Sequence, residues 1–187
     1  MGLPPWVAER RGELVQRWTE AVMDAYPSGT GRFLRETQDP FRNPVGATLR
    51  ETLPVIFDGL CGLSPEEEWE RALDRVVRLK AVQDGTATEA LAFLLRLKGL
   101  LREEARQSGT DAEGRAALED AVDGLLFRAF EAYVRCRERI SEIKVQDANR
   151  RAYLLLRRFG TGEEEAAGEA GSGPLTMPTH PERGEGP

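Results

Sequence analysis

The chain has one histidine and two cysteines in 187 residues, and no apolar run approaching the ~20 residues that a membrane-spanning helix needs. Each scarcity removes a class of function. The histidine, His180, sits in a Pro-, Gly- and Glu-rich C-terminal stretch. Haem ligation, His-containing zinc sites and Ser-His or Cys-His catalysis all need an imidazole fixed inside a fold. Cys61 and Cys136 form no CxxC arrangement and read as two reduced, half-buried small hydrophobes on helices. No haem, metal or other cofactor is expected. The longest apolar stretch, residues 90–101, is interrupted by Arg96 and Lys98, so no membrane insertion is expected. The N-terminus has no signal-peptide core, and Trp6 stands where an N-myristoylation pattern requires Ser or Thr. The expected location is the cytoplasm. Strict alternation of β-branched and polar residues never lasts beyond a few positions, which argues against strands.

Helical spacing fills the chain instead. A first helix is predicted over residues 7–25, with Leu14, Trp18, Ala21, Val22 and Ala25 on one face, Trp6 stapling its start and Pro27 closing it. A loop with a short helical turn at Phe33 and Leu34 follows. Asn43 is the expected N-cap of a helix over 44–60 that Pro54 kinks or divides and that Gly59 and Gly62 weaken and end. Ser64-Pro65-Glu66-Glu67 and Thr86-Ala87-Thr88-Glu89 both have capping-box spacing. They open a third helix carrying Trp69, Leu73, Val76, Val77, Leu79 and Val82, and a fourth with Leu91, Leu94, Leu95, Leu97 and Leu101 inside. Residues 112–159 contain no proline and keep apolar spacing from Leu118 through Phe130 and Tyr133 to Phe159. That is long for one globular helix, so it either breaks once or has a distal half free to pair. The expected fold is all-α: one helical domain over 1–159 with a long C-terminal helix, then a disordered acidic tail over 160–187.

Chemical motifs are sparse. Gly29-Thr30-Gly31-Arg32 begins like a dinucleotide loop, but Leu34 replaces the next glycine and a helix, not a strand, precedes it. Carboxylate pairs such as Glu103 and Glu104, or the run at residues 66–68, fall at helix ends on polar faces where solvation or capping is expected, so the chain reads as no enzyme. The Gln83-Asp84 cluster reads as a cap or inter-helix hydrogen bond more readily than a pocket lining. Residues 135–158 hold eight Lys or Arg against three Asp or Glu, an excess of +5. Asp147 can pair with Arg151 one turn later, and the adjacent acidic tail would compete with any polyanion. Nucleic acid is therefore not an expected partner. The distal part of the last helix presents Ile140, Ile143, Ala148, Ala152, Leu155 and Leu156 as a stripe needing burial, and a second copy of the chain is the simplest cover.

Three segments taken in order resemble a known family: Asn43-Pro44-Val45-Gly46 leading to Thr48-Leu49-Arg50-Glu51; residues 78–84 (RLKAVQD) with 90–93 (ALAF); and residues 133–140 (YVRCRERI). Together they are similar to the N-terminal domains of RsbRD-type proteins, co-antagonists of the RsbT kinase in bacterial stressosomes, over about residues 7–158. The resemblance implies an all-α sensory domain related to globin-like folds without haem, signal transduction through a protein partner, and a homodimer. Stressosome proteins carry a C-terminal STAS domain with phosphorylatable threonines, whereas a polar tail stands in that place here. Stand-alone relatives imply a role beside membrane-bound redox complexes of sulfur metabolism. The alternative reading is a helical domain that binds a small molecule or lipid in an apolar pocket.

Overall fold

The computed structural model describes residues 2–83 and 86–169, apart from the side chains of Ser28 and of residues 158–169. It contains seven helices among them: α1 (Pro5–Glu9), α2 (Arg11–Asp24), α3 (Ser28–Glu36), α4 (Pro44–Leu60), α5 (Glu66–Ala81), α6 (Ala87–Gln107) and α7 (Ala112–Glu169). The chain divides into two compact units, Met1–Ile140 and Ser141–Pro187.

In the first unit α2 packs on α3, α4 and α6, and α5 packs on α4 and α6. Leu118, Val122, Leu125, Ala129 and Ala132 of α7 join the same core. Trp18 lies at its centre, fully buried, stacked on Phe93 with ring centroids 6.3 Å apart. Its indole N–H donates to the Phe93 carbonyl at 2.7 Å, so the polar edge of the largest core side chain is satisfied.

The helix ends follow local chemistry. Asn43 caps α4 by accepting from the Gly46 amide at 2.8 Å, and the Thr86–Glu89 capping box forms in full at α6. Gly62 and Gly109 have positive φ. At each, the following residue's amide returns to a carbonyl of the last turn, Leu63 to Asp58 at 2.8 Å and Thr110 to Ala105 at 2.9 Å, the arrangement that closes helices on a left-handed glycine. Gly59 has a different role from helix-ending. A Cβ there would lie 2.2 Å from Cγ of Trp69, so its bare Cα is what lets α4 and α5 approach.

Several expectations are corrected. The helix expected over 7–25 is two, divided at Arg10 (φ −98°). There the chain turns so that the Trp6 indole reaches Thr110 at 3.0 Å and the Arg10 guanidinium reaches Glu104. α3 is nine residues long rather than one turn, and α4 runs as one helix through Pro54. No capping box forms at Ser64. α5 begins after Pro65 without a side-chain cap, leaving the Ser64 hydroxyl one residue too early and bonded to the Glu68 carboxylate at 3.3 Å. Val82 lies beyond the end of α5, and with Leu95 and Phe130 it is exposed rather than packed. Of the two arrangements expected for α7 the unbroken one holds, but its helical backbone continues ten residues past Phe159 to Glu169. The run Glu163-Glu164-Glu165-Ala166-Ala167 favours helix, and the next proline is Pro174. Residues 170–187, most of the expected tail, and Asp84 of the Gln83-Asp84 cluster lie outside the described residues.

Candidate functional site

The stripe expected to pair lies on α7. Ile140 is half-buried in the first unit, and every described side chain from Ser141 to Arg157 in the second is exposed. Ile143, Val145, Leu154, Leu155 and Leu156 each leave more than half of their surface in water. At roughly 100° per residue, the six expected residues do not share one face. Ile140 and Ile143 lie on one side with Leu154, interleaved with Lys144, Asp147 and Arg151. Ala148, Ala152, Leu155 and Leu156 lie on the other with Val145, and Ile143 and Leu156 end roughly 140° apart. The second stripe is the more continuous: Val145, Ala148, Ala152 and Leu155 recur at steps of three, four and three. Two alanines at its middle allow another helix close. That spacing is the seam on which helices pair.

On the first-unit part of α7, Phe130 is expected in the core by its spacing and Phe127 is not singled out, yet the structure exposes both. Phe127 is 71% exposed and Phe130 48% exposed. Their helical phase held the signal, because Phe127 falls roughly opposite the line Leu118, Val122, Leu125 and Ala129. Phe130 was counted with that line only because apolar spacing is dense throughout the segment.

Elsewhere several titratable groups are tied into structure. Glu103 is half-buried and paired with Arg106 at 2.7 Å, whereas Glu104, expected on a polar face, is 1% exposed. Its carboxylate accepts from Arg10 at 2.5 Å and from Arg17. The Arg17 hydrogen bond is the main cause that lowers its pKa below the ordinary 4.5, with Arg10 adding to it against the opposing cost of burial. Glu104 follows Leu97 and Leu101 at steps of four and three, so its inward phase was legible. Cys61 is half-buried. Burial, with Asp58 adding to it, pushes its thiol up to about 11, which keeps it protonated and a poor nucleophile. Cys136 is also half-buried, and Asp147 pairs with Arg151 at 2.5 Å as expected. Among the described residues no cluster of His, Cys, Asp or Glu is placed to hold a metal ion, and no helix is long and apolar enough to cross a membrane.

Fold and surface thus define a class: an all-helical domain with ion pairs linking its helices and an exposed apolar face on its last helix. The family model of the RsbT co-antagonist protein rsbRD N-terminal domain matches residues 12–147. The chain belongs to that family, one of stressosome-type regulatory sensory domains. No curated protein and no solved structure matches it.

Proposed function

We propose that the chain is a non-catalytic sensory or regulatory module of the cytoplasm that works as a homodimer and passes its state to a protein partner. Residues 1–159 form the module and 160–187 an acidic tail. The observation that carries the reading is family membership over 136 residues. The uncovered apolar seam of α7 supports it, since contiguous exposed apolar patches mark interaction sites. A second copy offers an identical stripe about a two-fold axis, with Val145, Ala148, Ala152 and Leu155 at the contact. A globin-like arrangement without haem belongs to the same reading, as does a place beside a membrane-bound redox complex of sulfur metabolism. Affinity purification of the tagged chain from its host, with mass spectrometry of what co-elutes, tests the partner. Specific recovery of a kinase or of a redox complex supports a regulatory module. Recovery of the chain alone, from cells in which it is abundant, counts against one.

The small-molecule alternative has one observation in its favour, a cleft of about 360 Å³ in the first unit.

A further inference from the structure

That cleft lies where the C-terminal ends of α2 and α5 meet the start of α6. Its accessible apolar surface comes from Ala25, Pro27 and the half-buried Ala92, over a floor of buried Val22, Ala90 and Phe93. Phe93 cannot swing aside easily, because its ring is stacked on Trp18 and its carbonyl accepts the Trp18 indole N–H. The floor of the cleft is therefore preformed rather than a gap that closes on itself.

The polar side of the cleft is cationic. Lys80, on the last turn of α5, is half-buried, with its ammonium 3.9 Å above the Tyr26 ring centroid. It donates to the Tyr26 hydroxyl at 2.6 Å. Among the described residues no carboxylate comes within ion-pair distance of it, although most other half-buried cations here are paired, Lys98 with Asp123 at 2.6 Å for example. The Tyr26 hydroxyl and ring fix the ammonium in place, and no described carboxylate balances its charge. Arg96 stands on the same rim. The one described carboxylate on the lining, Glu89, is exposed and committed to the Thr86 amide at 2.7 Å and to its hydroxyl at 3.0 Å. Among the described lining residues, two cations against one engaged carboxylate leave a net charge of +1 beside the apolar surface.

We propose that this cleft binds a monoanionic amphipathic carboxylate, its head on the Lys80 ammonium with Arg96 at the rim and its tail along Ala25, Pro27 and Ala92. A carboxylate matches the single excess charge, can accept from Lys80 beside the Tyr26 hydroxyl, and carries the hydrocarbon that the apolar surface can cover. The cleft falls within the size of ordinary small-molecule sites. Such a ligand is a candidate signal for the sensory reading. The binding itself does not depend on that reading, so either can fail alone.

The test is isothermal titration calorimetry of the full chain with octanoate, octanol and octylamine, on the wild type, Lys80→Met and Lys80→Arg, with circular dichroism to confirm folding. Octanoate should bind saturably and at least roughly tenfold tighter than either uncharged octanol or cationic octylamine, as a charged hydrogen bond requires. Lys80→Met, which keeps the apolar stem, should lose at least roughly the same factor, and Lys80→Arg should retain most of the affinity. Octanol binding as tightly as octanoate overturns the proposal. So does a folded Lys80→Met protein with unchanged affinity, or failure of octanoate to saturate the wild type at millimolar concentration.

Discussion

Replacing Glu104 by Gln isolates what the buried carboxylate contributes. It accepts from both Arg10 and Arg17, joining α6 to the start and the middle of the α1–α2 segment. Breaking a buried ion pair costs about 3–5 kcal/mol when one partner is stranded in the interior. Here the two arginine side chains are 38% and 40% exposed and both also reach Glu13. Solvent and Glu13 therefore take up part of the lost interaction, and the cost falls to about 2 kcal/mol. For a chain of this size that is a drop of roughly 4–8 °C in Tm. The pH dependence is the sharper signature. The Glu104 pKa is lowered in the fold, so its contribution is complete above the unfolded value near 4.5 and disappears as the pH falls through the folded value. A neutral glutamine lacks this dependence. Urea unfolding of both proteins at a series of pH values should give a stability gap that is constant near neutrality and closes as the pH drops below about 4.5. A variant as stable as the wild type at pH 7, or a gap that persists undiminished at pH 3, would refute the reasoning.

Gly59→Ala should destabilise by about 1–3 kcal/mol through the clash with Trp69. Gly99→Ala, in an open position on α6, should stabilise by about 0.5–1 kcal/mol; thermal melts that rank the two the other way would reject the close-approach role of Gly59. Asn43 donates to the Leu34 and Thr37 carbonyls at 2.9 and 2.7 Å while capping α4. Asn43→Ala should therefore cost about 2–4 kcal/mol. Asn43→Asp, which keeps the cap but loses both donated bonds, should also destabilise; denaturant curves showing full rescue by Asp would leave the cap alone as the cause. With its thiol pushed up from 9.0 to about 11, Cys61 should have about a 100-fold smaller thiolate fraction than an ordinary cysteine near pH 8. Peptide mapping of iodoacetamide labelling should find it alkylated far more slowly than a cysteine peptide, and equal rates would contradict the burial argument.

The elements legible in the sequence were those set by neighbours along the chain. Asn43 and Thr86 cap because their partners lie three residues on, and Leu118, Val122, Leu125 and Ala129 show the buried face of α7 by spacing alone. What escaped depends on contacts between distant segments. Arg10 interrupts the first helix where its side chain meets Glu104, 94 residues away, and Gly59 is placed by Trp69 of the next helix. Ser64 had the right spacing for a capping box, but α5 starts one residue later than that spacing requires. For the candidate interface, identifying apolar residues was easier than phasing them. Ile143 and Leu156 both look apolar and distal, yet only the helix angle separates them into two stripes. The Lys80 cleft assembles three helix ends, and of its lining the sequence singles out only Gln83, read as a cap or inter-helix hydrogen bond before a pocket residue.

The homodimer is tested most directly by sedimentation velocity on the wild type, Leu155→Glu and Ile143→Glu, with circular dichroism alongside. Covering a leucine fully is worth about 1.5–3 kcal/mol, and a two-fold interface loses it twice. Placing Glu at position 155 should therefore weaken association by at least roughly 100-fold and give a folded monomer. The same change at position 143, on the other stripe, should leave a dimer. A monomeric wild type, or a Leu155→Glu protein that still sediments as a dimer, would contradict pairing through the Val145–Leu155 seam.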